Sequence, residues 1–356
     1  MNLNNSEIYN NQNHGISFSN LQYNAIDSNR IHIDSVYVHD NDGSGIEIRG
    51  GLLHEIKNSI IENNNGEGIY IFECYYDSWS WNDGYQGKPV TISDCIVRGN
   101  TGRGVSIGGA AHINNTTIKN NGGGVNIYPS DLSALIEDKA NQTLITNTEI
   151  THNIASGWDN DDGGGIRLYL YNSALYISAL KLESTTIAYN TAEKGGGIYF
   201  GGTEFVYGSS SASQPIEYSV ENPANIYLNN ADEGADLFED VNYLNYDPMV
   251  ISVELDTFTV ANPTEYHASP LEHFDFNIQN GKVEPSLGPI FVSPTGSDNN
   301  DGLSPETPLK RIGMAVAMAD PDTLNQIAVE INIMEGQYGQ SFNGENFPIF
   351  IKDYGD

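Results

Sequence analysis

The sequence predicts an all-β fold, a right-handed single-stranded parallel β-helix over residues 1–240, and three observations carry that reading. Short apolar runs of three to six residues alternate with Asn and Gly clusters, while helical periodicity is nearly absent. An aliphatic or aromatic residue, two variable residues and an Asn recur eight times. A Gly and an apolar residue follow each Asn, at spacings as short as 20 residues (Gly104 to Gly124) and 23 residues (Gly45 to Gly68).

The repeats run Ile8–Asn11, Val38–Asn41, Ile61–Asn64, Val97–Asn100, Ile118–Asn121, Ile150–Asn153, Ile187–Asn190 and Tyr227–Asn230. Their period suits one coil of two or three short strands. A leucine-rich repeat would need a Leu ladder and a helix per repeat, and a propeller blade about 40 residues. Each strand is expected to pair in parallel with its counterpart one coil on, about 4.8 Å away. Ile16, Ile46, Ile69, Val105, Val125, Ile166 and Ile198 would then form one inward column. The eight Asn would form a structural ladder with amides bonded between coils. The following Gly is expected to supply the left-handed backbone of the turn, and the last Gly pair is read as Gly234-Ala235.

Lys and Arg number 15 and Asp and Glu 47, for a net charge of −32. That excludes the basic surface that nucleic acid or an anionic membrane requires. No apolar run reaches transmembrane length, so direct membrane insertion is not expected. Two Cys, Cys74 and Cys95, exclude a small fold stapled by disulfides, and a bond between them stays open. Cys95 takes the place that Ser6, Ser59, Thr116, Thr148 and Thr185 hold in other coils, where a small buried side chain fits. The repeat is already under way at Asn2–Phe18 with no cap before it. A signal peptide and cap are therefore expected upstream, on a secreted or cell-surface protein.

The Ile-x-x-Asn…Gly-Ile-x-Ile repeat resembles the right-handed β-helix repeats of pectate-lyase-like and surface-adhesin proteins. The resemblance covers about two thirds of the chain and implies a fold shared by lyases, hydrolases, epimerases and plain binders. Periodicity fails after Asp240, and residues 241–288 are expected to hold a linker and closing strands, one of them within Val250 to Val260. Residues 289–356 start a new pattern: a strand at Ile290-Phe291-Val292, turns from Asp298 to Thr307, helical spacing over Pro308 to Ala319, and a strand at Ile327 to Ile333. The stretches Phe291-Val-Ser-Pro-Thr-Gly-Ser-Asp, Asp301-Gly-Leu-Ser-Pro-Glu-Thr-Pro and Lys310-Arg-Ile resemble a domain of unknown function that opens many secreted β-helix proteins. That resemblance implies a helix capping a coil stack, the start of a second β-helix.

Chemistry is expected in the insertions, which gather on one face of a solenoid. The loop at 74–88 carries Tyr75, Tyr76, Trp79, Trp81 and Tyr85; these rings either stack on sugars or form the loop's own small core. Trp158-Asp159-Asn160-Asp161-Asp162 is the densest acidic stretch. Asp159, Asp161 and Asp162 are candidate ligands of Ca²⁺, the alternative being a solvated turn. Asp298, Asn300 and Asp301 are a weaker calcium candidate against plain turn chemistry. Arg167 lies at an outward position shared with Ser17, Glu47, Tyr70, Ser106, Asn126 and Tyr199, a stripe suited to a glycan groove. The lyases of the resembling fold pair Ca²⁺ with an Arg or Lys base. By that analogy Asp161, Asp162 and Arg167 are candidate catalytic residues, and a surface salt bridge is the plain alternative. No column of Asp across adjacent coils supplies the carboxylate pair that an inverting hydrolase needs. The balance favours a non-catalytic module binding a polysaccharide or cell-surface glycan. A polysaccharide lyase or hydrolase acting on uronic-acid polymers comes second and a structural stalk third.

Overall fold

A computed structural model of the chain describes residues 1–21, 31–50, 54–72, 89–128, 142–156, 161–170, 178–202, 214–241, 250–319 and 328–351. Within them the strands form three long parallel sheets of eight, ten and nine strands, the faces of a right-handed β-helix. The first coil contributes Asn2–Asn4 to the first sheet, Glu7–Tyr9 to the second and Ile16–Leu21 to the third. The eighth contributes Ile216–Tyr218, Ala224–Tyr227 and Leu237–Val241. Two of the sheets continue past Asp240: Ile251–Phe258 and Phe274–Gly281 extend the second, and Ala268–Ser269 the third.

Alternation along each short strand decides what is buried. Ile33, Ile56, Ile92 and Ile113 stack in the first sheet, Val38, Ile61, Val97 and Ile118 in the second, and Ile46, Ile69, Val105 and Val125 in the third, all fully buried. Like packs on like because parallel register places equivalent residues directly over one another.

The Asn ladder runs at the turn between the second and third sheets. Each Nδ2 donates to the Oδ1 one coil on: Asn41 to Asn64 (2.8 Å), Asn64 to Asn100 (2.9 Å), Asn100 to Asn121 (2.9 Å), Asn121 to Asn153 (3.0 Å) and Asn153 to Asn190 (2.9 Å). The backbone N of the same Asn donates to that Oδ1 as well. The second Nδ2 hydrogen reaches back to the inward residue one coil before, as from Asn121 to Val97 O (3.1 Å). Every polar atom of a buried amide is thereby used, which burial requires.

The expectation about the backbone of this turn needs correction. The left-handed residue is the one before the Asn, not the Gly after it: Asn10, Asp40, Asn63, Asn120, His152, Tyr189 and Leu228 all have φ between 52° and 59°. Mostly Asx, they tolerate that region better than other residues. Gly15, Gly45, Gly68 and Gly104 serve for space instead, since a Cβ on each would sit 2.8–2.9 Å from the next coil's Asn Nδ2. His152 is half-buried against Tyr189, and burial pushes its imidazole down.

The eighth rung is Asn229, not Asn230. Ile226 pairs with Ile187, so the inward frame there is Ile226-x-x-Asn229 rather than Tyr227-x-x-Asn230. Asn190 Nδ2 donates to Asn229 Oδ1 (3.0 Å). Leu237 likewise pairs with Ile198, which puts Asp236 rather than Gly234 in the place that Gly holds elsewhere. The ladder ends on this carboxylate: Asn229 N and Nδ2 donate to Asp236 Oδ1 at 3.2 and 2.9 Å. Its side chain fills the slot that the next rung would occupy.

The C-terminal segment holds a parallel strand pair, Ile290–Val292 with Ile331–Ile333, and the helix Ile312–Met318. Met314, Ala315, Ala317 and Met318 pack on Val260, Val283, Ile290, Val292 and Leu309. The segment also lies along the turns of the later coils. Gln340 donates to Asn120 Oδ1 (2.9 Å), Asn346 to Tyr189 O (2.8 Å), and Asn230 to Pro348 O (2.9 Å). Asp298 Oδ1 accepts Lys310 N (2.9 Å) and Arg311 N (3.1 Å), while Asp301 Oδ1 accepts Leu303 N (3.1 Å) and Thr307 Oγ1 (2.6 Å). Their bonds are those of turns and caps. Among the described residues no helix is long and apolar enough to cross a membrane.

Candidate outer face of the third sheet

Third-sheet strands offer two outward positions. The first reads Ser17, Glu47, Tyr70, Ser106, Asn126, Arg167, Tyr199 and Phe238, paired in unbroken register. Tyr70, Asn126 and Arg167, taken from the sequence as one stripe, do stand in one column. The second outward position, four residues after the Gly and in the eighth coil four after Asp236, reads Arg49, Phe72, Gly108, Tyr128, Tyr169, Gly201 and Asp240 from the second coil on. Sequence reasoning passed over this column, although the fixed offset from Gly carried the signal.

Rings and guanidinium groups cover one another on this face. Arg49 lies 5.3 Å from the Tyr70 ring centre and 5.8 Å from that of Phe72, with Tyr70 and Phe72 stacked at 6.0 Å. Farther along, Arg167 lies 4.6 Å from the Tyr169 ring and 6.0 Å from that of Tyr199, and Tyr199 stacks on Phe238 at 5.9 Å. Two glycines make room. A Cβ on Gly201 would lie 2.3 Å from Tyr199 Cε1, and one on Gly108 would lie 3.0 Å from Tyr128 Cε2 and 3.3 Å from Phe72 Cδ2. Tyr199 and Phe238 are buried, whereas Tyr70, Phe72, Tyr128 and Tyr169 are half-buried.

Charged groups line the turn that enters this sheet. Glu47 receives His14 Nε2 at 3.1 Å and Arg49 Nε at 2.9 Å. Burial pushes the Glu67 carboxyl up, against the Ser106 hydroxyl that donates to it at 2.7 Å. Arg103 is buried, and desolvation, aided by the neighbouring Arg167 charge, lowers it to about 9. Its Nη1 donates to Gly163 O (2.8 Å) and its Nη2 to Asp162 O (2.6 Å). Asp162 is pushed up by burial first and by Asp161 second, with Arg167 and Lys194 opposing. Glu193 is pushed up chiefly by its hydrogen bond with Asp161. Tyr199 donates its hydroxyl to Asp240 Oδ2 at 3.0 Å.

Asp161, Asp162 and Arg167 are thus brought within electrostatic reach of one another. The described donors suit a calcium ion poorly: the carbonyls of Asp162 and Gly163 are taken by Arg103, and Arg167 adds a second positive charge. Among the described residues no group of three His, Cys, Asp or Glu is gathered as a metal centre. Asp159, Trp158, Cys74, Tyr75, Tyr76, Trp79, Trp81 and Tyr85 lie outside the described residues. Cys95 is buried, with its Sγ donating to Ser93 O at 3.1 Å, and burial pushes the thiol up to about 11.

Among the described residues, two buried polar atoms of these outward side chains stay unused. Asn126 Oδ1 and Arg167 Nε are buried and have no hydrogen-bond partner. A small, half-open pocket of about 30 Å³ lies elsewhere, in the seam between the β-helix and the C-terminal segment. Its charged groups are already engaged: Glu345 accepts Ile312 N and Gly313 N, and Arg311 pairs with Asp298.

Residues 1–139 match the family model described as right handed beta helix region. Residues 294–356 match that described as protein of unknown function (DUF1565). No curated protein and no solved structure matches the chain.

Proposed function

We propose that this β-helix is a carbohydrate-binding module of a secreted or cell-surface protein, and that the outer face of its third sheet is the binding surface. One observation supports this above all: outward residues that solvation alone would leave polar are instead in-register rings with cations beside them. A ring face offers apolar area to the C–H side of a sugar, and the flanking Arg, Asn and carboxylate groups match its hydroxyls. Co-sedimentation with a panel of neutral and acidic polysaccharides tests the reading. At least one polymer should retain the protein, and Tyr169→Ala should weaken that retention about tenfold with the fold intact. Retention by none, or equal retention of the variant, would leave a structural stalk.

A second reading, a lyase or hydrolase acting on uronic-acid polymers, draws support from Asp162, whose raised carboxyl stands beside Arg167. A general acid has this character. Polymer length after incubation, with and without added Ca²⁺, separates the two readings. Shortening that Asp162→Asn abolishes would establish catalysis, and unchanged length would leave binding.

A further inference from the structure

We infer, on the basis of the carbohydrate-binding reading, that the third-sheet face holds two aromatic platforms spanned by one extended, β-linked polysaccharide chain lying along the helix axis. The first platform is Tyr70 and Phe72 with Arg49 beside them, and the second is Tyr169 with Arg167 beside it. Phe72 and Tyr169 occupy the same column three strands apart. That separation is about 14 Å, roughly three pyranose units of an extended chain. A compact ligand would cover one platform alone.

The stretch between the platforms is shaped differently. Gly108 presents no side chain, the half-buried Tyr128 ring leans over it to 6.2 Å from the Phe72 ring, and Ser106 and Asn126 are buried beside them. Asn126 is only 8% exposed, yet its Oδ1 finds no hydrogen-bond partner. A buried carbonyl oxygen left unpaired is costly, and a donor from outside the chain would relieve it. A hydroxyl of a sugar chain passing over Asn126 from one platform to the other is such a donor. At the second platform the Arg167 Nε hydrogen is likewise buried and unspent. Flat, equatorially linked sugars fit because they keep their C–H faces toward a row of rings along the whole chain.

Two linked contacts raise affinity only when one molecule reaches both. The test is calorimetry with cello-, xylo- and manno-oligosaccharides of two to six units. Affinity for the bound series should climb at least thirtyfold between two units and five, then level off. Phe72→Leu and Tyr169→Leu should each flatten that climb while leaving weak binding of the short sugars. Asn126→Leu should lower affinity for the long ones only. Equal affinity at every length, or a climb that survives both platform variants, would overturn the two-platform arrangement and leave the binding face standing. No binding by any oligosaccharide or polymer would overturn the carbohydrate-binding reading itself.

Discussion

The turn between the second and third sheets and the outer face of the third sheet share one lattice and treat it in opposite ways. At the turn, coil after coil presents the same Asn with the same three hydrogen bonds. On the outer face, neighbouring coils present Glu47, Tyr70, Ser106, Asn126 and Arg167 in one column. A buried amide must find its partners in the adjacent coil, so repetition there is a condition of folding. An outward side chain has no such partner to match. The lattice supplies its position and leaves its chemistry free to vary from coil to coil.

Stability should therefore respond very differently to changes at the two places. The largest effect is expected for Asn121→Ala. It removes the acceptor of Asn100 N and Nδ2 inside the core, and should cost about 4 kcal/mol in urea unfolding. A cost below about 1 kcal/mol would mean that the ladder is ornamental.

The end of the ladder offers an intermediate case. Burial raises the Asp236 carboxyl from 3.8 to about 7. The folded protein holds this proton more tightly than the unfolded chain does. Its contribution is complete in acid and is lost as pH rises from about 4 through about 7. Asp236→Asn keeps the Oδ1 acceptor for Asn229 and abolishes that slope. It should stabilise the protein by roughly 2 kcal/mol at pH 8 and change little at pH 4. Identical slopes for the two proteins in pH-resolved urea melts would refute the assignment.

The smallest effect is expected on the outer face. Tyr169→Ala should cost under about 1 kcal/mol, since the ring is half-buried and accounts for no core contact. Thermal unfolding checks this, and a large loss would make the column structural rather than a recognition surface.

The sequence by itself determined the coil, the parallel solenoid and most of the ladder, because each depends on a local period that a single coil displays in full, whereas the number of sheets, left at two or three by the period, was fixed by the structure at three. The stripe of Tyr70, Asn126 and Arg167 was legible for the same reason, as a constant offset from Gly. The tertiary structure decided what the period leaves ambiguous. Ile226-x-x-Asn229 and Tyr227-x-x-Asn230 satisfy the motif equally, and only the stacking of Ile226 on Ile187 chooses between them. The role of the repeated Gly was likewise invisible, because the atoms it makes room for belong to the next coil. Arg103 reaching Asp162 and Gly163, and Asn346 reaching Tyr189, join residues 59, 60 and 157 positions apart. Such contacts depend on side-chain reach across stacked coils, which no period along the chain encodes.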